Sequence, residues 1–130
     1  MKHFSKFLLI AFVCSVLFSC QKQKSEIHYI GLYTTTITSL SCADLKKATH
    51  KTDLTLSEKE NNELMQLFSR LKLAANDVNI DARLYGSIIN EKKENLNFCM
   101  NLGFIELNGK KYVVDDELRE YILKLTERKK

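Results

Sequence analysis

The side chains best suited to chemistry are the cysteines, of which the 130-residue chain has four: Cys14, Cys20, Cys42 and Cys99. A thiolate is a far stronger nucleophile than a hydroxyl group near neutral pH, so a cysteine suits the covalent attachment of another group. Cys20 follows the longest apolar segment of the chain, separated from it by Ser19. Its role therefore depends on the residues that precede it.

The first twenty residues are typical of a secretory signal. The segment 1–6 is short and basic. The segment 7–18 is uncharged and apolar except at Ser15. This is the n-region and h-region pattern of a signal peptide. A membrane-spanning helix needs about 20 consecutive apolar residues, and this segment is shorter. We therefore expect export rather than a membrane-spanning helix.

The residues around the expected cleavage site define the type of signal. Leu17-Phe18-Ser19-Cys20 resembles the lipobox of bacterial lipoproteins, although Phe18 departs from its commonest pattern. The resemblance implies diacylglyceryl and N-acyl lipids on Cys20, and no other cofactor is expected. An ordinary cleaved signal is the alternative. Gln21 after the acceptor favours the outer membrane of a Gram-negative cell envelope. The expected divisions are a signal peptide at 1–19, a lipidated tether at 20–26 and one domain at 27–130.

Removal of the signal changes the charge of the chain. The sequence has 20 basic and 16 acidic residues, and Lys2 and Lys6 leave with the signal, so the mature chain has a net charge of +2. A nucleic-acid-binding domain has a strongly basic face. No nucleic-acid partner is expected, and the length suits a single domain with a modest core.

Processing also simplifies the cysteine pairing. Without Cys14 and the lipid acceptor, Cys42 and Cys99 remain, and the space outside the inner membrane is oxidising. We expect a disulfide between them, with two free thiols or a metal site as alternatives. His28 and His50 lie at no recognisable ligand spacing from either cysteine, so no metal is expected.

Hydrophobic periodicity indicates a mixed α and β domain. Residues 27–42 are rich in β-branched and aromatic residues, which favours extended structure with a bend near Gly31 or among the threonines. Residues 42–48 suit a helical turn. Ser57 and Glu60 fit a capping box that begins a helix from Glu58 to about Ala74.

The second half of the chain indicates an antiparallel sheet. Residues 78–88 and 96–102 alternate with a period of two. Asn108-Gly109 predicts a type I′ hairpin within 104–114, and Asp115 or Asp116 can cap a final helix. We expect an α+β fold with an antiparallel sheet of about four strands and two amphipathic helices on one face, in the order strand, helix, three strands, helix.

One row of polar side chains on the strand 78–88 is a candidate contact surface. Asn79, Asp81, Arg83 and Tyr85 alternate with apolar residues and should share one face. The row is either a solvated face with an ion pair or a face that contacts a partner. No catalytic residue is predicted, because no serine has the flanking glycines of a nucleophile elbow and the four glycines form no phosphate loop.

The overall pattern resembles the small uncharacterised lipoproteins common in Bacteroidota. The matching features are Cys20, Cys42, Asp81-Ala82-Arg83 and Cys99. The resemblance implies no activity. We expect a non-enzymatic envelope protein, held at the membrane by its lipid, that binds a protein partner. An immunity or inhibitor protein against a toxin or enzyme is one alternative, and an envelope enzyme with a dispersed active site is another.

Overall fold

The computed structural model describes residues 23–128, so the predicted signal peptide, the lipobox and the start of the tether lie outside the described residues. Within 23–128 there are three helices and seven strands. The helices are α1 (Cys42–Lys47), α2 (Glu58–Ser69) and α3 (Asp116–Glu127). The strands are β1 (Glu26–Tyr29), β2 (Thr52–Thr55), β3 (Lys72–Leu73), β4 (Leu84–Ile89), β5 (Asn95–Met100), β6 (Phe104–Leu107) and β7 (Lys110–Val113).

All seven strands form one antiparallel sheet in the order β2-β1-β4-β5-β6-β7-β3. Strands β4 to β7 follow the chain, whereas β1 lies between β2 and β4, and β3 pairs with the outer edge of β7. The α+β class is as expected, but the expected count of about four strands is wrong. Strands β2 and β3 have four and two residues, too few for a periodic pattern.

The two faces of the sheet carry different helices. Helices α2 and α3 pack on the face that contains the main core, where Leu64, Leu118 and Ile122 are fully buried together with Ile27 and Ile105. Helix α1 packs on the opposite face. Its Leu45 is buried in a smaller cluster with Ala82 and Cys99. The expected pair of helices on one face therefore describes α2 and α3, and α1 is a third helix on the other side.

Local signals set the helix starts correctly. The Ser57 hydroxyl accepts a hydrogen bond from Glu60 N at 3.2 Å, and Ser57 N donates to the Glu60 carboxylate at 2.9 Å. Asp115 caps α3 by accepting from Leu118 N at 2.8 Å. The end of α2 was predicted wrongly at about Ala74. The helix ends at Ser69 because the next residues bond to β7, with Ala74 N donating to Lys111 O at 2.9 Å.

The predicted hairpin at Asn108-Gly109 is confirmed. Asn108 has φ 47° and Gly109 has φ 82°, as a type I′ turn requires. The register pairs Leu107 with Lys110 and Glu106 with Lys111. The turn chemistry alone therefore placed two strands correctly.

Two predicted strands are shorter than expected. The extended segment 27–42 is a strand only up to Tyr29, and the segment 78–88 is a strand only from Leu84. The residues between these limits pair outside the sheet, since Ala82 N donates to Leu40 O at 2.8 Å. Residues 30–41 and 78–83 thus form two irregular segments that hold each other.

We predict that Gly86→Ala destabilises the fold. Gly86 lies between β1 and β5, and an added Cβ would stand 2.6 Å from Glu26 O and 2.8 Å from the Phe98 ring. Such overpacking costs about 1–3 kcal/mol of unfolding free energy, measurable by urea denaturation. Gly103→Ala is the matched control, because its nearest neighbour is 3.5 Å away. An unchanged urea midpoint for Gly86→Ala would contradict the prediction.

Candidate functional site: a loop held by a buried arginine

Arg83 is a charged residue that the fold buries. It stands immediately before β4 and is only 5% exposed. Its backbone is fixed on both sides, because Arg83 N donates to Met100 O at 2.9 Å and Arg83 O accepts from Ile30 N at 3.0 Å. A buried guanidinium group must be neutralised and hydrogen-bonded to be tolerated. The partners of this side chain therefore define what it does.

The guanidinium group of Arg83 has a partner for every nitrogen. Nη1 and Nη2 donate to the two carboxylate oxygens of Asp81 at 2.7 and 2.8 Å, which is a bidentate ion pair. Nε donates to Thr34 O at 2.8 Å, and Nη2 also donates to Thr36 Oγ1 at 3.2 Å. Nη1 also donates to Ala82 O at 2.9 Å. Asp81 thus supplies the counter-charge, and Nε and Nη2 hold residues 34–36.

Asp81 acts in the same way from the other side of the pair. Its Oδ1 also accepts from Leu40 N at 2.8 Å. The hydrogen bond from Arg83 is the largest influence on this carboxyl group, followed by the bond from the Leu40 backbone, and together they hold the pKa of Asp81 below its ordinary range. The side chain is 42% exposed, and these bonds keep it ionised to a lower pH than an ordinary aspartate.

The segment held by this pair is the presented loop, residues 30–41. The Arg83 carbonyl oxygen accepts a hydrogen bond from the first residue of the loop, and the guanidinium group donates to Thr34 and Thr36. At the end of the loop, Leu40 is hydrogen-bonded to Asp81 and Ala82. Thr34 N also donates to Gly31 O at 2.9 Å, which closes a turn inside the loop. The loop is therefore fixed at its start, middle and end.

The presented loop exposes two large apolar side chains. Tyr33 is 77% exposed and Ile37 is 106% exposed, so neither packs on the domain. The twelve residues of the loop include no charged side chain. An uncharged, immobilised segment with two exposed apolar groups is a surface suited to binding an apolar partner.

A disulfide ties the end of the loop to the sheet. Cys42 begins α1 directly after the loop, and it bonds Cys99 of β5 with a Cα–Cα distance of 6.1 Å. Cys99 lies on the face opposite α2 and α3, as the alternation in β5 predicts. The expected pairing is thus present, and it joins residues 57 apart in the chain.

The four residues of the predicted contact row do not form one continuous face. Asn79 precedes the sheet, while Asp81 and Arg83 form the ion pair beneath the presented loop. Tyr85 lies in β4, where its ring stacks on His28 at 4.8 Å and its hydroxyl accepts from Lys51 at 2.9 Å. The spacing of two residues correctly predicted that Asp81 and Arg83 lie close together.

The sequence carried no signal for the exposure of Tyr33 and Ile37. The extended pattern of the segment 27–42 predicted strand residues, whose apolar side chains would pack on a neighbouring element. One feature that distinguishes the loop is nevertheless visible in the sequence, namely the absence of charge across 30–41.

Comparison with known proteins adds no relative to this geometry. No protein-family model, curated protein or solved structure matches the chain. Between residues 23 and 128, no helix is both long enough and apolar enough to cross a membrane. A functional proposal therefore depends on the residues and contacts of the chain itself.

We predict that the contribution of Asp81 to stability depends on pH in a defined direction. Because the pKa of Asp81 is lowered in the folded protein, its stabilisation is present above the unfolded pKa and is lost as pH falls through the folded pKa. Asp81→Asn should be less stable than the unmodified protein at neutral pH. The difference should shrink in acid, below about pH 4.

The measurement is urea unfolding of both proteins across the acid range. Asp77→Asn removes an exposed carboxylate from the same connecting segment and should behave as the unmodified protein does. A stability difference for Asp81→Asn that stays constant from neutral pH to strong acid would show that the ionised carboxylate does not stabilise the fold.

Proposed function

We propose that this protein is a lipid-tethered envelope protein that binds a partner protein through the presented loop, with Tyr33 and Ile37 as its apolar anchors. The observation that carries the proposal is that both side chains are exposed on a loop held by the buried Arg83. The proposal includes no catalytic step for this chain.

The exposure of the two anchors supports a binding role. Single exposed apolar side chains are common on protein surfaces and need no explanation. Tyr33 and Ile37, however, lie four residues apart on one loop that also lacks charge. The cores of protein interfaces are depleted of charged residues and enriched in aromatic ones. The matching surface of the partner is therefore an apolar pocket without charged side chains.

The immobilisation of the loop supports binding rather than mere exposure. Ordering a flexible loop during association reduces the affinity, and a loop already fixed in its bound shape avoids this loss. Arg83 and Asp81 provide the fixation from below, and the Cys42–Cys99 disulfide provides it at the end of the loop. The buried charge of Arg83 thus helps to fix the shape of the presented loop.

The tether and the presented loop join opposite ends of β1. With lipid on Cys20, the six-residue step from the anchor to Glu26 limits the distance between them to about 20 Å. Strand β1 then runs away from the tether, and the presented loop begins after its last residue, Tyr29. The loop therefore begins at the end of β1 opposite to the end that the tether joins.

An inhibitor or immunity role is a second candidate that the same loop favours. A fixed segment with two protruding apolar side chains fits the cleft of an enzyme or toxin as readily as a shallow pocket. The two candidates share the contact surface and differ in the effect on the partner. Measurement of the activity of a captured partner, with and without this protein, separates them.

We predict that Cys20→Ser abolishes lipidation. Labelling of cells with a palmitate analogue should mark the unmodified protein and leave the variant unmarked, because serine cannot replace the thiol nucleophile. The variant should accumulate at the size of the unprocessed precursor. Cys14→Ser is the matched control and should be labelled normally. Persistent labelling of Cys20→Ser would refute the lipobox interpretation.

We predict that Tyr33→Ser combined with Ile37→Ser weakens partner binding by at least about thirtyfold, since an interface anchor contributes about 2 kcal/mol or more. The full chain, solubilised from envelope, serves as bait, and the amount of each captured protein is compared between variants. Leu73→Ser is the matched control, because Leu73 is 69% exposed on β3, outside the presented loop.

Two outcomes would count against the loop as the contact surface. One is equal capture of every partner by the double variant and the unmodified protein. The other is a double variant that captures its partners normally but, in the domain without lipid on Cys20, no longer binds lipid vesicles, which would assign Tyr33 and Ile37 to the bilayer.

A further inference from the structure

A groove opens on the sheet face that carries α1, apart from the presented loop. Its volume is about 430 Å³, within the range of small-molecule sites, which is roughly 300–1,000 Å³. Strands β1, β4, β5 and β6 form its floor, and α1 with the Cys42–Cys99 disulfide forms one wall. Five polar side chains of this lining could contact a ligand: Glu26, Lys46, Ser87, Asn97 and Glu106.

The register of the sheet aligns these groups. Glu26 pairs with Ser87, and Ser87 pairs with Asn97, so the three form one row across β1, β4 and β5. Tyr85, Cys99 and Glu106 form the next row across β4, β5 and β6. Directly opposed side chains in such pairs have Cβ atoms about 4.5–5.5 Å apart. The polar groups of the two rows therefore reach a shared space.

Two acceptors of the groove are without a partner among residues 23–128. The hydroxyl oxygen of Ser87 is buried and makes no hydrogen bond. The half-buried Glu106 carboxylate makes no hydrogen bond or ion pair within the described part of the chain, because its cross-strand neighbour Lys111 donates to Val78 O instead. Buried polar groups in folded proteins nearly always have a partner. The half-buried Glu106 carboxylate can therefore accept hydrogen bonds from a ligand, whereas the Ser87 hydroxyl has almost no accessible surface.

The positive charge in the groove has no acidic partner either. Across 23–128, no carboxylate lies within ion-pair distance of Lys46 Nζ, which stands 5.9 Å from the centre of the Tyr85 ring. Cys99 lies between Tyr85 and Glu106 in the row, so Lys46 and Glu106 approach the groove from the two sides of the disulfide. The groove thus presents a cation and an anion that the described residues leave unpaired.

From this arrangement we propose that the groove binds a small zwitterion, a free α-amino acid or a dipeptide, with its ammonium group on Glu106 and its carboxylate on Lys46. Glu26, the third charged group of the lining, already lies 3.3 Å from His28 Nε2. A ligand with one charge would therefore leave Glu106 or Lys46 unpaired, and a neutral polyol would leave both. The proposal does not depend on the presented loop or on a protein partner.

The test is an NMR titration of the ¹⁵N-labelled full chain in detergent. Alanine and diglycine are the zwitterionic probes, alaninamide lacks the carboxylate, N-acetylalanine lacks the ammonium group, and glucose is the neutral polyol. Alanine or diglycine should shift the amides of Ser87, Asn97 and Glu106 to saturation, and the other three probes should bind at least about tenfold more weakly.

Matched variants assign the two charges. Glu106→Gln and Lys46→Met should each weaken the zwitterion by at least about tenfold. Glu127→Gln and Lys47→Met remove exposed charges of the same kind elsewhere and should bind as the unmodified protein does. The proposal is overturned if neither zwitterion shifts the groove amides, if glucose or a singly charged probe binds as tightly, or if the shifts survive both charge variants.

Discussion

The ion pair between Arg83 and Asp81 is the interaction on which the surface features of this protein depend. Arg83 is 5% exposed, and its guanidinium group is tolerated only because Asp81 neutralises it and other oxygens accept hydrogen bonds from its remaining N–H groups. Two of those oxygens, on Thr34 and Thr36, belong to the presented loop. The same hydrogen bonds therefore satisfy the buried charge and fix the shape of the loop. Directly after the loop, Cys42 forms the disulfide with Cys99. This bond fixes the position of α1 and with it one wall of the groove.

How far the sequence predicts this architecture depends on the range of each interaction. The capping box at Ser57 and the turn at Asn108-Gly109 join residues at most three positions apart, and both are confirmed. The predicted ends of the strands were wrong where backbone groups distant in the chain form hydrogen bonds outside the sheet, as Leu40 and Ala82 do. Strand β3 has two residues and owes its existence to the edge of β7, so it has no pattern of its own.

The candidate site follows the same division. Asp81 and Arg83 are two residues apart, and their association was expected from strand periodicity. The hydrogen bonds from Arg83 to Thr34 and Thr36 join residues 47 to 49 apart, and neither threonine has a sequence feature that distinguishes it from its neighbours. The bond between Cys42 and Cys99 was predictable because the predicted processing would leave only these two cysteines to pair. Counting cysteines can identify a long-range disulfide when only two of them remain to pair. The possible hydrogen-bond partners of an arginine are too numerous to be identified in this way.

The short strands at the two margins of the sheet have a consequence for solubility. An open strand margin is a template on which a second molecule can add a strand, and proteins discourage this with short margins and lysine side chains. Here one margin is β2, which has four residues and includes Asp53, and the other is β3, which has two and begins at Lys72. Lys110 and Lys111 lie in β7 beside it. Neither margin offers a long apolar template, so two copies held close together resist merging into one continuous sheet and hence resist aggregation.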